Sequence, residues 1–324
     1  MSLVSVVIPT LKRPQLLLRA IRSVLQQTHR ELEVIVIVDR PDPDTADALR
    51  SVADPRVRLF ENPKPVTAAG ARNAGAEQAK GEWVAFLDDD DEWLPSKLEK
   101  QLLLAAGNPS TLVTCLSRVV TSTGSHIRPK SIYDGSVPID EYLFDRRTLF
   151  GGSSFMQTSS YLLHHHLFDK VRFDAGSPHD DWGFLLRLSQ QKDARIETVP
   201  EVLAVLHFEE HHSSLTSRTA SWVASLRYLD EIQAFITRRA YSGYCLGVVG
   251  ERAARERAYS AFPELLRRAF RHGSPRLCHV LPYFAYWMLP RGLLRRLRTS
   301  VRRSSNSKTI FRHDLVCHIG RECT

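Results

Sequence analysis

Cysteine is scarce and scattered in this chain. Five residues, Cys115, Cys245, Cys278, Cys317 and Cys323, are odd in number and mostly far apart, which argues against a disulfide-stapled scaffold and fits a reducing compartment. The stretch HDLVCHIGREC gathers His313, Cys317, His318 and Cys323 but lacks the Cys-x-x-Cys spacing of common zinc sites. A basic n-region, a sustained apolar stretch and a small-residue cleavage site are missing after Met1, so the expected location is the cytoplasm. There is no Gly-x-x-x-x-Gly-Lys-Ser/Thr loop of the kind nucleotide hydrolases use. The apolar segment Leu281 to Leu289 is far too short to span a bilayer.

What is present is a globular composition: 324 residues, 43% hydrophobic and 25% charged, enough for one large α/β core and an appended unit. The net charge of +8 is uneven. Between Pro263 and Arg312 there are twelve Lys or Arg and one acid, Glu264, so the rest of the chain is slightly acidic. A slightly acidic body with a basic, aromatic-containing end argues against nucleic acid as partner and for a surface-binding appendage.

The first part alternates strands and helices. VSVVIP (4–9) reads as a buried strand, and residues 13–28 place Leu17, Ala20, Ile21, Val24 and Leu25 at helical spacing. Further strands are expected at 31–39, 57–62 and 82–88, with helices at 44–53 and 67–81, the last stopped by Gly81. Strands joined by helical crossovers imply a mainly parallel sheet, whose ligands collect beyond the strands' carboxyl ends. Thr10, Asp39 and Asp88 to Asp91 belong at that edge.

Four consecutive aspartates at a strand tip repel one another unless cations lie among them. Hard carboxylate oxygens suit Mg²⁺ or Mn²⁺, with water and substrate phosphates completing the shell. A solvated acidic loop leading into a helix near Pro95 to Lys97 is the plainer alternative. A second acidic pair, Asp180 and Asp181, follows Ser177 and Pro178, which predicts a helix capped by Ser177 with both acids in its first turn. Trp182, Leu185, Leu186 and Leu188 are expected to anchor that helix to the core.

Five stretches, SVVIPTLKRP, VIVIVDRPDPDT, AAGARNAG, VAFLDDDDEWLPSKL and SPHDDWGFLLRL, occur in this order over about the first 215 residues and resemble family 2 glycosyltransferases of the GT-A fold. The resemblance implies that Pro9 and Thr10 line a nucleoside, Asp39 hydrogen-bonds the base and Arg72 reaches base or phosphate. It makes Asp88, Asp89 and Asp90 the DxD element, with Asp89 facing the ribose and Asp90 binding a Mn²⁺ or Mg²⁺ ion, Asp88 beside it. His212 would touch metal or diphosphate. Asp181 matches the catalytic base, Asp180 replaces the usual glutamate, and Asp180, Trp182, Ser153 and Ser154 would contact the acceptor. Leu11, Lys12, Arg40 and Pro41 depart from the usual pattern around the base, so uridine is the default and thymidine or guanosine stay open.

The implied activity is inverting, metal-dependent transfer from a nucleotide-sugar donor to a saccharide or lipid-linked acceptor in polysaccharide or glycoconjugate biosynthesis. A catalytically silent nucleotide-sugar-binding scaffold is the alternative. A Mg²⁺-dependent phosphoryl-transfer enzyme would need an aspartate where Pro9-Thr10 stands. The expected organisation is a catalytic domain at 1–216 (donor half 1–110, acceptor half 111–216), a helical region at 217–305 and a tail at 306–324. Residues 281–303 either lie on an anionic membrane, Tyr283, Tyr286 and Trp287 at headgroup depth, or pack as an ordinary bundle.

Overall fold

The computed structural model describes residues 2–149, 152, 154–177, 179–208, 221–290 and 292–294. The chain opens β1 (Val4–Thr10), α1 (Pro14–Leu25), β2 (Leu32–Val38), α2 (Pro43–Arg50), β3 (Val57–Glu61), α3 (Ala68–Glu77) and β4 (Trp83–Phe86), the alternation that the sequence pattern implies. β1, β2 and β3 pair in parallel, as do β1 and β4. Every residue of β1 and β2 is buried, which is why both read as unbroken apolar runs.

β5 (Glu92–Trp93), α4 (Lys97–Ala105), β6 (Thr111–Thr121), β7 (Gly124–Arg128), α5 (Ile139–Phe144), β8 (Leu162–His164), α6 (His165–Lys170), α7 (Asp180–Ser189) and β9 (Arg195–Phe208) follow. They extend one sheet in the order β3-β2-β1-β4-β8-β6-β9-β5, with β7 on β6. This second half is mixed: β8 is antiparallel to β4 and β6, β5 to β9, and β6 runs parallel to β9.

Glycine sets the spacing of α3 on the sheet. A Cβ on Gly75 would lie 2.3 Å from Val7 Cγ1 and 3.0 Å from Ile37 Cγ1, so only a residue without one lets the helix sit this close to β1 and β2. Gly81, expected to stop α3, has another task. The helix ends at Glu77, and Gly81 lies where a Cβ would be 2.6 Å from the Leu3 carbonyl oxygen.

Two compact units emerge: residues 1–143 with 154–219, and residues 144–153 with 220–324. The short segment at 144–153, read from sequence as part of the acceptor half, groups with the helical unit. That unit contains α8 (Trp222–Ile232), α9 (Arg238–Tyr244), α10 (Gly250–Glu256), α11 (Ala261–His272) and α12 (Leu277–Met288), α9 running into α10 through a wide π-helical turn at Cys245–Val249. Within the region expected to be helical, a 3₁₀ turn at Gln233–Phe235 follows α8 and leaves Phe235 60% exposed. Tyr283 is fully buried, and Tyr286 accepts a hydrogen bond from Arg146. These two rings face protein, so their expected place at lipid headgroup depth is corrected. No helix among the described residues is long and apolar enough to cross a membrane.

Candidate active site

The strand tips converge on the DDDD loop, and the loop's charge is met from two helices and a strand end. From α1, Arg13 donates to Asp89 Oδ1 at 3.2 Å and Asp90 Oδ2 at 3.1 Å, while Arg19 donates to the Asp90 carbonyl at 2.6 Å. From the end of β1, Thr10 Oγ1 donates to Asp89 Oδ2 at 2.7 Å. From α3, Arg72 donates through Nη2 to Asp88 Oδ1 at 2.5 Å and through Nη1 to Asp180 Oδ2, on α7, at 2.7 Å. One buried guanidinium thus ties the two acidic stretches together. Burial alone would lower its pKa, but Asp88, Asp180 and Asp181 outweigh that and hold it charged.

Asp88 also accepts from Gln157 Nε2 at 2.9 Å, so both of its oxygens are engaged within the chain. Asp91 is buried beneath the loop, accepting from Ser159 Oγ at 2.7 Å and from the His207 backbone N–H at 3.1 Å. Burial, then Asp88 and Asp90, push its carboxyl well above the usual range. Burial likewise raises Asp89, to about 6, against the pull of Thr10 and Arg13. Asp90 is raised by burial and by Asp88, and its side chain keeps 33% exposure.

Asp180 and Asp181 occupy the first turn of α7 as expected. The cap differs: His179 holds the N-cap position with no side-chain capping bond, and Ser177 Oγ instead accepts from the His179 N–H at 3.1 Å. Leu185, Leu186 and Leu188 are buried, whereas Trp182 is half-buried and stacks on the His179 ring at 4.6 Å, so its place is beside the turn rather than in the core. Asp181 Oδ1 accepts from the Trp182 N–H at 2.8 Å. Burial first, then neighbouring Asp180, hold its carboxyl up at about 7.

Pro9 and Thr10 end β1, beside the start of the β2–α2 loop. Asp39 is buried there, accepting from the Val66 N–H at 2.5 Å with Arg40 3.4 Å from its other oxygen. Lys12, in a left-handed backbone conformation at φ 54°, lines a small cleft of about 290 Å³ with Pro41 and Asp42. Ser154 Oγ reaches the Leu143 carbonyl at 3.4 Å. Ser153 and His212 lie outside the described residues. Arg13, Arg19, Gln157 and Ser159 were not singled out from sequence. For Arg13 a signal existed, a cation at the β1–α1 junction on the same carboxyl edge; Gln157 and Ser159 come from a loop with no periodicity to place it.

A parallel half-sheet with an aspartate cluster at its carboxyl edge and a second acidic turn joined to it defines a GT-A-type fold. S. aureus TarS 1–349, solved in complex with UDP-GlcNAc, shares that fold with a TM-score of 0.53 at 15% identity, covering 88% of this chain and 79% of that one. The chain belongs to glycosyl transferase family 2, whose family model matches residues 5–172. Escherichia coli WfaP, a UDP-Glc:alpha-D-GlcNAc-diphosphoundecaprenol beta-1,3-glucosyltransferase, is 35% identical over 102 residues, 32% of this chain and 41% of that protein. Erwinia amylovora AmsB, an amylovoran biosynthesis glycosyltransferase, is 27% identical over 75% of this chain and 82% of its own length. The match to WfaP thus spans about two fifths of that relative's length.

Proposed function

We propose that this protein is an inverting, metal-dependent glycosyltransferase that moves a sugar from a UDP-sugar to a hydroxyl of a lipid-linked saccharide in surface-polysaccharide synthesis, working at the cytoplasmic side. The observation that carries the reading is Arg72, whose two ion pairs hold the Asp88 carboxylate and the acidic turn of α7 on one site. The names of WfaP and AmsB support donor, acceptor and pathway class.

Among the described residues no three His, Cys, Asp or Glu side chains are grouped to hold an ion. The carboxylates fit a sparser shell. Asp90, partly exposed and held by Arg13 through one oxygen, suits a Mg²⁺ or Mn²⁺ whose other positions are water and diphosphate oxygens. Asp88, with both oxygens taken, serves to position Arg72. When bound, the ion supplies Lewis-acid stabilisation of the leaving diphosphate.

The chain's own residues supply the rest. Thr10 and Arg13 fix Asp89 toward the nucleoside side, and Asp39 holds the 62–67 loop against the β2 end. The acceptor oxygen forms its bond to the anomeric carbon as the carbon–oxygen bond to the diphosphate breaks, the bonding pair leaving with the nucleotide. Asp181 takes the acceptor's proton, and attack from the face opposite the diphosphate inverts the anomeric centre.

Titration calorimetry with UDP and a panel of nucleotide-sugars, in Mn²⁺ or Mg²⁺, tests this against the Asp90→Ala variant. Binding that needs the ion in the wild type and disappears in the variant is expected. Unchanged affinity in the variant overturns the metal assignment, and binding of another nucleotide in preference to UDP overturns the donor.

A further inference from the structure

Helix α12 has no Asp, Glu, Lys or Arg along its length. One face is committed to its own unit: His279, Pro282 and Tyr283 are buried, the Tyr283 hydroxyl donates to the Phe262 carbonyl at 2.7 Å, and His279 Nε2 lies 2.8 Å from Asp145 Oδ1. The opposite face is apolar as well. Leu277, Leu281 and Met288 fall within a stripe about 40° wide at helical pitch, while Phe284 beside them packs edge-on against Phe262 with ring centroids 5.4 Å apart. Leu277 is 75% exposed, Leu281 51% and Met288 69%. Near its far end Tyr259, 69% exposed, lies with its ring 6.2 Å from Trp287.

A contiguous exposed apolar stripe marks an interaction surface, and the charge around it selects the partner. Between Glu264 and Asp314 the sequence has twelve Lys or Arg and no acid, with six arginines from Arg291 to Arg303 directly after the helix. Of the twelve, Arg268 is paired with Asp230 and Glu264 and Arg276 with Asp145, while Arg267 and Arg271 stand exposed on α11. A second copy of the chain would bring this cationic region against itself, like charge on like. An anionic bilayer answers both features at once, taking the apolar stripe at the acyl boundary and the arginines among its headgroups.

We propose that the Leu277–Leu281–Met288 face of α12 is a membrane-docking surface for anionic phospholipid. It is independent of the donor chemistry, and each reading can fail alone.

The full chain is floated with vesicles of phosphatidylcholine alone and of phosphatidylcholine with phosphatidylglycerol, neither containing a glycan acceptor, so binding reports the surface itself. The wild type should bind the anionic vesicles, release as salt rises, and ignore the neutral ones. The double variant Leu281→Glu, Met288→Glu should lose binding by at least about tenfold while keeping UDP affinity and its circular dichroism. The single variant Leu277→Ser covers the case in which two new charges perturb the helix, and it should weaken binding in the same direction. Equal binding by wild type and variants, or no binding of the wild type to anionic vesicles, overturns the proposal. A wild-type dimer in sedimentation velocity that the variants dissociate, without vesicle binding, assigns the face to a second copy instead.

Discussion

The acidic edge of the sheet and the arginine-rich end of the chain carry opposite charge and dispose of it differently. At the edge, four adjacent aspartates are each answered from within the chain: Asp88 by Arg72 and Gln157, Asp89 and Asp90 by Arg13, and Asp91 by Ser159 and a backbone N–H. Around α12 cations outnumber acids in the sequence: Arg268 is paired with Asp230 and Glu264 and Arg276 with Asp145, no acid follows until Asp314, and Leu277, Leu281 and Met288 stay exposed. Charge that is paired internally builds a fixed site; an excess of one sign along the sequence is left to be met from outside.

Removing the pairing should give the largest effect. Arg72→Met removes a buried cation and leaves the part-buried Asp88 and Asp180 without it; breaking a fully buried pair costs about 3–5 kcal/mol, which bounds the expected drop in stability, read as a lower denaturant midpoint. An unchanged midpoint would mean that the two acidic stretches are held together by something else.

Next comes chemistry. Asp181→Asn keeps shape and removes basicity, so transfer should slow by at least about a hundredfold with donor affinity near wild type. Because burial and Asp180 hold the carboxyl at about 7, wild-type transfer should climb with pH and level off above that value. Stability should move the other way: the native carboxyl keeps its proton to higher pH than the unfolded one, so its contribution fades as pH rises from about 4 toward 7. The asparagine variant should lack that slope, and turnover within a few-fold of wild type would remove the assignment.

The smallest effect belongs to α12. Leu277→Ser, at an exposed position, should shift unfolding free energy by no more than about 0.5 kcal/mol. A larger loss would show that this face is covered within the protein.

The donor half of the fold was legible because β1, β2 and β4 are fully buried and α1 is strongly amphipathic, so these elements announce themselves locally. The mixed half was not: β8 is three residues long and β5 two, too short for periodicity. The acidic residues were visible as motifs, but their partners were not. Arg72 was read as reaching a ligand, and only the approach of α7 shows it holding Asp180. Ser177 followed by Pro178 suggested a cap, yet the helix begins later, at Asp180, because the serine is used by the His179 N–H. In the tail, alternating aromatics and arginines fitted two architectures, and the burial of Tyr283 separates the faces.

Gly75 acts as a gauge block. It lies one helical turn after Arg72, and its missing side chain fixes how far α3 stands from β1. A methyl there would meet Val7 at 2.3 Å, where carbon atoms normally keep roughly 3.5–4.0 Å. The helix would have to retreat by more than about an ångström, as much as a hydrogen bond tolerates before it is lost. The bridge between the two acidic stretches is therefore calibrated by an atom that is not there, and a mutation far from any reacting group can detune the site without touching one of its charges.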